Sequence, residues 1–88
     1  MQVQILYGNE IHSKEQLHEL LMQILPLPTY YGKNLDALYD CLTELSSPLE
    51  LHIYDAETLC ANLGAYGRQF LAVLNDCQNE NPMIQIKK

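Results

Sequence analysis

Three carboxylates, Asp36, Asp40 and Glu44, recur every four residues in the stretch "NLDALYDCLTEL". On a helix a step of four drifts by only about 40°, so the three share one stripe. Asp36 falls in the first turn, where the helix dipole favours a negative charge. Asp40 has no such local benefit, since it meets a like charge at both i−4 and i+4, and each pair is mildly destabilising. No lysine or arginine in the stretch relieves it. Such a stripe suits three kinds of chemistry: an acid/base pair, a Mg²⁺ site, or a surface offered to a basic partner. It is also what a plain solvated helix face looks like. Paired carboxylates at i,i+4 are common, and no Gly-rich phosphate loop accompanies these, so catalysis and Mg²⁺ binding have little support.

Tyr30 and Tyr31 precede Gly32 just before the stripe. Tyrosine offers large contact area at low entropic cost and is favoured at interfaces. The bland alternative places one of the pair at the edge of the core. His12, His18 and His52 are far apart and Cys41, Cys60 and Cys77 form no C-x-x-C pattern, so neither a metal nor a cofactor is expected. The cysteines fall on inner helical positions and read as small core residues.

The elements that must position these groups follow from periodicity. Val3, Ile5 and Tyr7 alternate with Gln2 and Gln4 in a first strand. Ser13 and Gln16 form a capping box ahead of a helix with Leu17, Leu20, Leu21 and Ile24 on one side. Pro26 and Pro28 end that helix. Asn34 caps a second helix, whose core stripe is Leu35, Leu38, Leu42 and Leu45. A second strand alternates Leu49, Leu51 and Ile53 with Glu50, His52 and Tyr54. Asp55 is expected to cap a short third helix closed by Gly64. A fourth helix begins near Tyr66, with Phe70, Leu71, Leu74 and Cys77 inward, and "MIQIKK" is a third strand. Strands joined by helical crossovers predict an α/β fold with a parallel sheet covered by helices.

With 88 residues, one domain spanning 1–88 is expected. The net charge of −6 opposes direct binding of nucleic acid or an anionic membrane. Between Asp36 and Glu80 eight acids face a single base, Arg68, so an acidic patch drawn from several elements is expected. An odd number of cysteines is a poor disulfide framework and points to a reducing compartment. No apolar run approaches a membrane span and no signal-peptide pattern opens the chain, which reads as cytoplasmic.

The tract "LPTYYGKNLDALYDCLTEL" resembles the signature segment of the barstar family, intracellular inhibitors of barnase-type ribonucleases. "SKEQLHELL", "PLELHIY" and the closing helix and strand extend the similarity over nearly the whole chain. The resemblance implies a three-stranded parallel sheet packed with four helices. It also implies a non-enzymatic, monomeric protein that plugs the cationic cleft of a basic ribonuclease with its second helix and the loop before it. Asp40 would enter the phosphate site, Asp36 would pair with a neighbouring base, and Tyr30 would pack on the catalytic histidine. Asn34 and Thr43 match flanking polar contacts, and Asp76 stands where the family has an outlying glutamate. Relative to the family's best-known member, Tyr39 and Leu45 replace tryptophans and Glu44 replaces a glycine on the binding side. The target could thus be a diverged ribonuclease, or the acidic face could mimic nucleic acid toward another basic protein or toxin. Pro48 lies where the family has a cis proline, so a cis bond is expected there.

Overall fold

The computed structural model describes residues 2–88 and places seven regular elements in the expected order. They are β1 (Gln2–Tyr7), α1 (Lys14–Ile24), α2 (Leu35–Thr43), β2 (Leu49–Tyr54), α3 (Ala56–Leu63), α4 (Ala65–Glu80) and β3 (Ile84–Lys87). A single 3-10 turn, Gly8–Glu10, follows β1. The strands form a parallel sheet in the order β1-β2-β3. Two consecutive crossovers of one hand, in a sheet whose strands follow chain order, put all helices on the same face. The other face is left bare.

That topology decides which residues are core. Leu49, Leu51 and Ile53 of β2 point into the helical layer, as expected. In β1 the inner positions are Gln4 and Leu6, opposite Leu51 and Ile53, while Val3, Ile5 and Tyr7 lie on the bare face. The apolar side of β1 is therefore the solvent side. Because side chains alternate with period two, the register against β2 leaves no other choice. The core is completed by Leu17 and Leu21 of α1, Leu38 and Leu42 of α2, Leu59 of α3, and Phe70, Leu74 and Cys77 of α4. Cys41 and Cys60 are only half-buried, and all three cysteines are free thiols.

Local signals explain most boundaries. Ser13 Oγ accepts from Gln16 N–H at 3.1 Å, and Gln16 Oε1 reaches back to His12 N–H at 2.8 Å, a capping box shifted by one residue. Gly64 closes α3 at φ 63°, where a side chain would be strained. Gly8 is required by close approach, since a Cβ there would lie 2.3 Å from the Asp55 carbonyl oxygen. Asp55 itself does not cap α3 with its side chain; it adopts φ 56°, ψ 47° to turn out of β2. Peptide bonds among the described residues are all trans, Ser47–Pro48 included. The reason lies in α2, which ends at Thr43 and leaves residues 44–48 as a connector long enough to reverse without a cis bond. The Pro48 carbonyl accepts from Gln2 N–H at 3.3 Å and so starts the β1–β2 ladder. Among the described residues, no helix is long and apolar enough to cross a membrane.

Two buried polar residues hold the layers in place. Asn81, 6% exposed, donates through Nδ2 to the carbonyls of Leu42 and Leu45, both at 3.0 Å, and accepts from Met83 N–H at 3.0 Å. Carbonyls at a helix C-terminus lack intrahelical partners, and Asn81 supplies one from the α4–β3 turn. Asn81→Ala should therefore cost about 1–3 kcal/mol, because buried acceptors lose their donor. Urea unfolding checks this, and an unchanged midpoint would contradict it.

His18, 1% exposed, is the second. Its Nδ1 lies 2.7 Å from Tyr31 Oη and its Nε2 lies 2.6 Å from Tyr66 Oη. Tyr31 Oη also contacts the Asn34 carbonyl at 3.4 Å, which can only accept. That assigns the proton to Nδ1, leaving Nε2 to accept from Tyr66. Burial pushes the imidazole below its ordinary pKa of 6.5, with Glu15 opposing the shift. A lowered folded-state value means that stability is full above about pH 6.5 and is lost as pH falls through the folded value. Urea midpoints should thus drop between about pH 7.5 and pH 5.5, and His18→Gln should flatten that drop. A wild-type midpoint constant over the range would refute the assignment.

Candidate functional site

The site is built on α2 and on the loop that enters it. Asn34 Oδ1 accepts from Ala37 N–H at 2.8 Å and fixes the first turn. Lys33, at φ 56°, turns the chain into that cap. Leu38 and Leu42 are fully buried and anchor the helix, each contributing roughly 1.5–3 kcal/mol of burial. With that side fixed to the core, Asp36, Asp40 and Glu44 are left exposed. Glu44 is the C-cap, still close to helical geometry at φ −94°, ψ −3°. Thr43, half-buried, donates its hydroxyl to the Tyr39 carbonyl at 2.8 Å, so its oxygen remains available to accept.

The two tyrosines of the loop divide the work. Tyr31, 5% exposed, is bound to His18 and pins the loop to the core. Tyr30, its neighbour, is 86% exposed. A large aromatic ring this open, on a loop anchored one residue away, is presented at little further entropic cost.

α4 packs beside α2 and brings in its own acids. Tyr39, half-buried between the two helices, has its phenol pKa raised by desolvation and then by Glu80, Cys77, Asp76 and Asp40. Those carboxylates therefore converge around one phenol. Asp76, expected from the resemblance, belongs to this group, and Glu80 is a member the sequence reading missed. Its signal was present, because Asp76 and Glu80 are spaced i,i+4 on α4 as Asp36 and Asp40 are on α2. The Cys41 thiol is likewise raised by burial, with Glu44 and Asp40 adding to it.

Charge pairing separates this face from an ordinary surface. Among the described residues, the one ion pair is His52 with Glu50, on the bare face of the sheet. Asp36, Asp40, Glu44, Asp76 and Glu80 have no basic partner there. Nor does any described cluster of acids, histidines and cysteines have the makings of a metal site. A cleft of about 240 Å³ opens near the loop, but it takes in Asn34 and none of the α2 acids. The acids thus stand on a helix face, where they suit a concave, basic macromolecular surface better than a small ligand.

Comparison with known proteins agrees with this arrangement. A family described as "Barstar (barnase inhibitor)" matches residues 1–87. A protein of Bacillus subtilis (strain 168) named "Putative ribonuclease inhibitor YrdF" is 40% identical over 77 residues, covering 86% of this chain and 85% of that protein. The parallel three-stranded sheet, the four helices and the matched length together establish that this chain belongs to the barstar family.

Proposed function

We propose that this chain blocks a basic ribonuclease by laying α2 and the Tyr30 loop into the cleft where RNA phosphates bind. Family membership supports a role in ribonuclease inhibition, and the chain is an inhibitor rather than an enzyme. The observation that carries the mechanism is the row of exposed carboxylates without a basic partner among the described residues. A charge left unpaired in the free protein loses no internal bond when a partner pairs it, so the complex gains the full interaction. Asp40, central on α2, takes the place of a phosphate, and Asp36 pairs with an adjacent base. Tyr30 packs on the catalytic histidine, while Asn34 and Thr43 supply flanking hydrogen bonds. Tyr39, Glu44, Asp76 and Glu80 form the rim. The net charge of −6 speeds encounter with a cationic enzyme and keeps nucleic acid away. The inhibitor acts as a single cytoplasmic domain and needs no cofactor.

Glu44 sets the choice of target. A carboxylate at the C-cap excludes a close backbone approach and calls for an additional base on the nuclease.

Mass spectrometry of proteins captured from the native cell extract identifies the partner. A basic protein without nuclease activity among the specific captures, and no ribonuclease, would replace the inhibitor reading with a nucleic-acid mimic. Against the captured ribonuclease, Asp40→Ala should weaken binding by more than about 2 kcal/mol, roughly thirtyfold in Kd. The same substitution should leave the urea midpoint nearly unchanged, as expected for an exposed residue. Binding equal to wild type would end the plug mechanism. Association should also slow as salt rises, since the steering field is screened beyond about 8 Å at physiological ionic strength.

A further inference from the structure

The two edges of the sheet are finished differently. At β3 both outward-facing amides are taken internally: Ile84 N–H by the Asn81 carbonyl at 3.1 Å, and Ile86 N–H by Gln78 Oε1 at 2.7 Å. The strand is short, four residues, and ends in Lys87. Short strands and lysines are what folded proteins place at edges that must not pair.

The β1 edge has none of this protection. The strand is six residues long, QVQILY, about 20 Å, with no charge and no proline. Gln2 N–H bonds toward β2, so alternate residues do the same and Val3 and Ile5 turn their backbone groups to the open edge. No turn or side chain among the described residues takes the Val3 or Ile5 N–H. The side chains that accompany this edge are apolar and exposed: Val3 51%, Ile5 39% and Tyr7 47%. Tyr54 of β2, 50% exposed, extends the strip, its ring 5.6 Å from that of Tyr7.

We infer that β1 is a self-association edge, on which a second copy of this chain adds its own β1 in antiparallel pairing. An open ladder specifies a strand as its occupant. The charge of the molecule selects which strand. Two copies each carrying −6 repel over most of their surfaces, and β1 is the element where they meet without a charge. A two-fold axis at Ile5 makes Ile5 face Ile5 of the partner subunit, and Val3 face Tyr7 of the partner subunit. Both Val3 and Ile5 then use outward-facing backbone groups, as a hydrogen-bonded antiparallel pair requires. The same register joins the two apolar strips into one on the bare face of a six-stranded sheet. Growth stops at two copies because the outer edges are then the closed β3 strands. One strand pair buries less than the roughly 1,200 Å² of stable complexes, so the dimer forms only at high concentration. The edge lies apart from the α2 face, so pairing leaves the acids available.

Sedimentation equilibrium up to about 1 mM protein, the Kd range of weak interfaces, tests the inference. Wild type should rise from monomer to dimer mass, and Ile5→Lys should stay monomeric with unchanged circular dichroism and unchanged nuclease binding. Hydrogen exchange of the Ile5 amide should slow at least several-fold at the concentrations where dimer forms. A wild type that remains monomeric throughout would overturn the proposal, as would an Ile5→Lys variant that dimerises equally well. Ile5 protection that arises only in the nuclease complex would also overturn it, by placing a strand of another protein on the edge.

Discussion

The imidazole of His18 sits between two phenols, and the geometry of the binding face depends on that chain of bonds. Tyr31 belongs to the loop before α2, His18 to α1 and Tyr66 to α4. One buried side chain therefore fixes the loop against two helices at once. Each bond is worth about 1 kcal/mol net, and each partner left unpaired would cost more. Fully satisfied, such a network specifies one arrangement of the layers. The exposed Tyr30 is a consequence: its position is set by the residue beside it, which is not free to move.

The same division between anchoring and display runs through α2. Leu38 and Leu42 are buried and Asn81 holds the carbonyls at the helix end, so the helix is fixed at its apolar side and its C-terminus. Its exposed side then carries like charges at intervals of four residues, an arrangement that costs a little in the free protein. α4 adds Asp76 and Glu80 beside Tyr39 rather than a lysine that would neutralise the face. A partner lined with arginine and lysine relieves that repulsion on binding, which links the small local instability to affinity and to encounter rate.

Much of this was readable in the chain. Helical periodicity located the four helices, and alternation located the three strands, because each element packs against a single core. The acid stripe and the cap at Asn34 were legible for the same reason. What escaped depended on tertiary register or on chain reversal. The apolar side of β1 faces solvent because the one-sided crossovers cover only the opposite face, and no pattern within six residues records which side that is. Asp55 resembles an N-cap in sequence, but the exit from β2 needs a left-handed residue there. The expected cis bond at Pro48 gave way to a trans one because α2 stops at Thr43 and lengthens the connector. Asn81 and His18 carry no signal of their roles, since their partners lie on elements distant in sequence.

The central claim is that the α2 face occupies the phosphate site of a ribonuclease, and competition measures this most directly. The affinity of the chain for its captured ribonuclease is determined at increasing concentrations of a mononucleotide that binds the enzyme's active site. Occupancy of one site by both predicts that the apparent Kd rises in direct proportion to the mononucleotide, with no ternary complex. An apparent Kd that stays constant while the nucleotide remains bound would contradict the account.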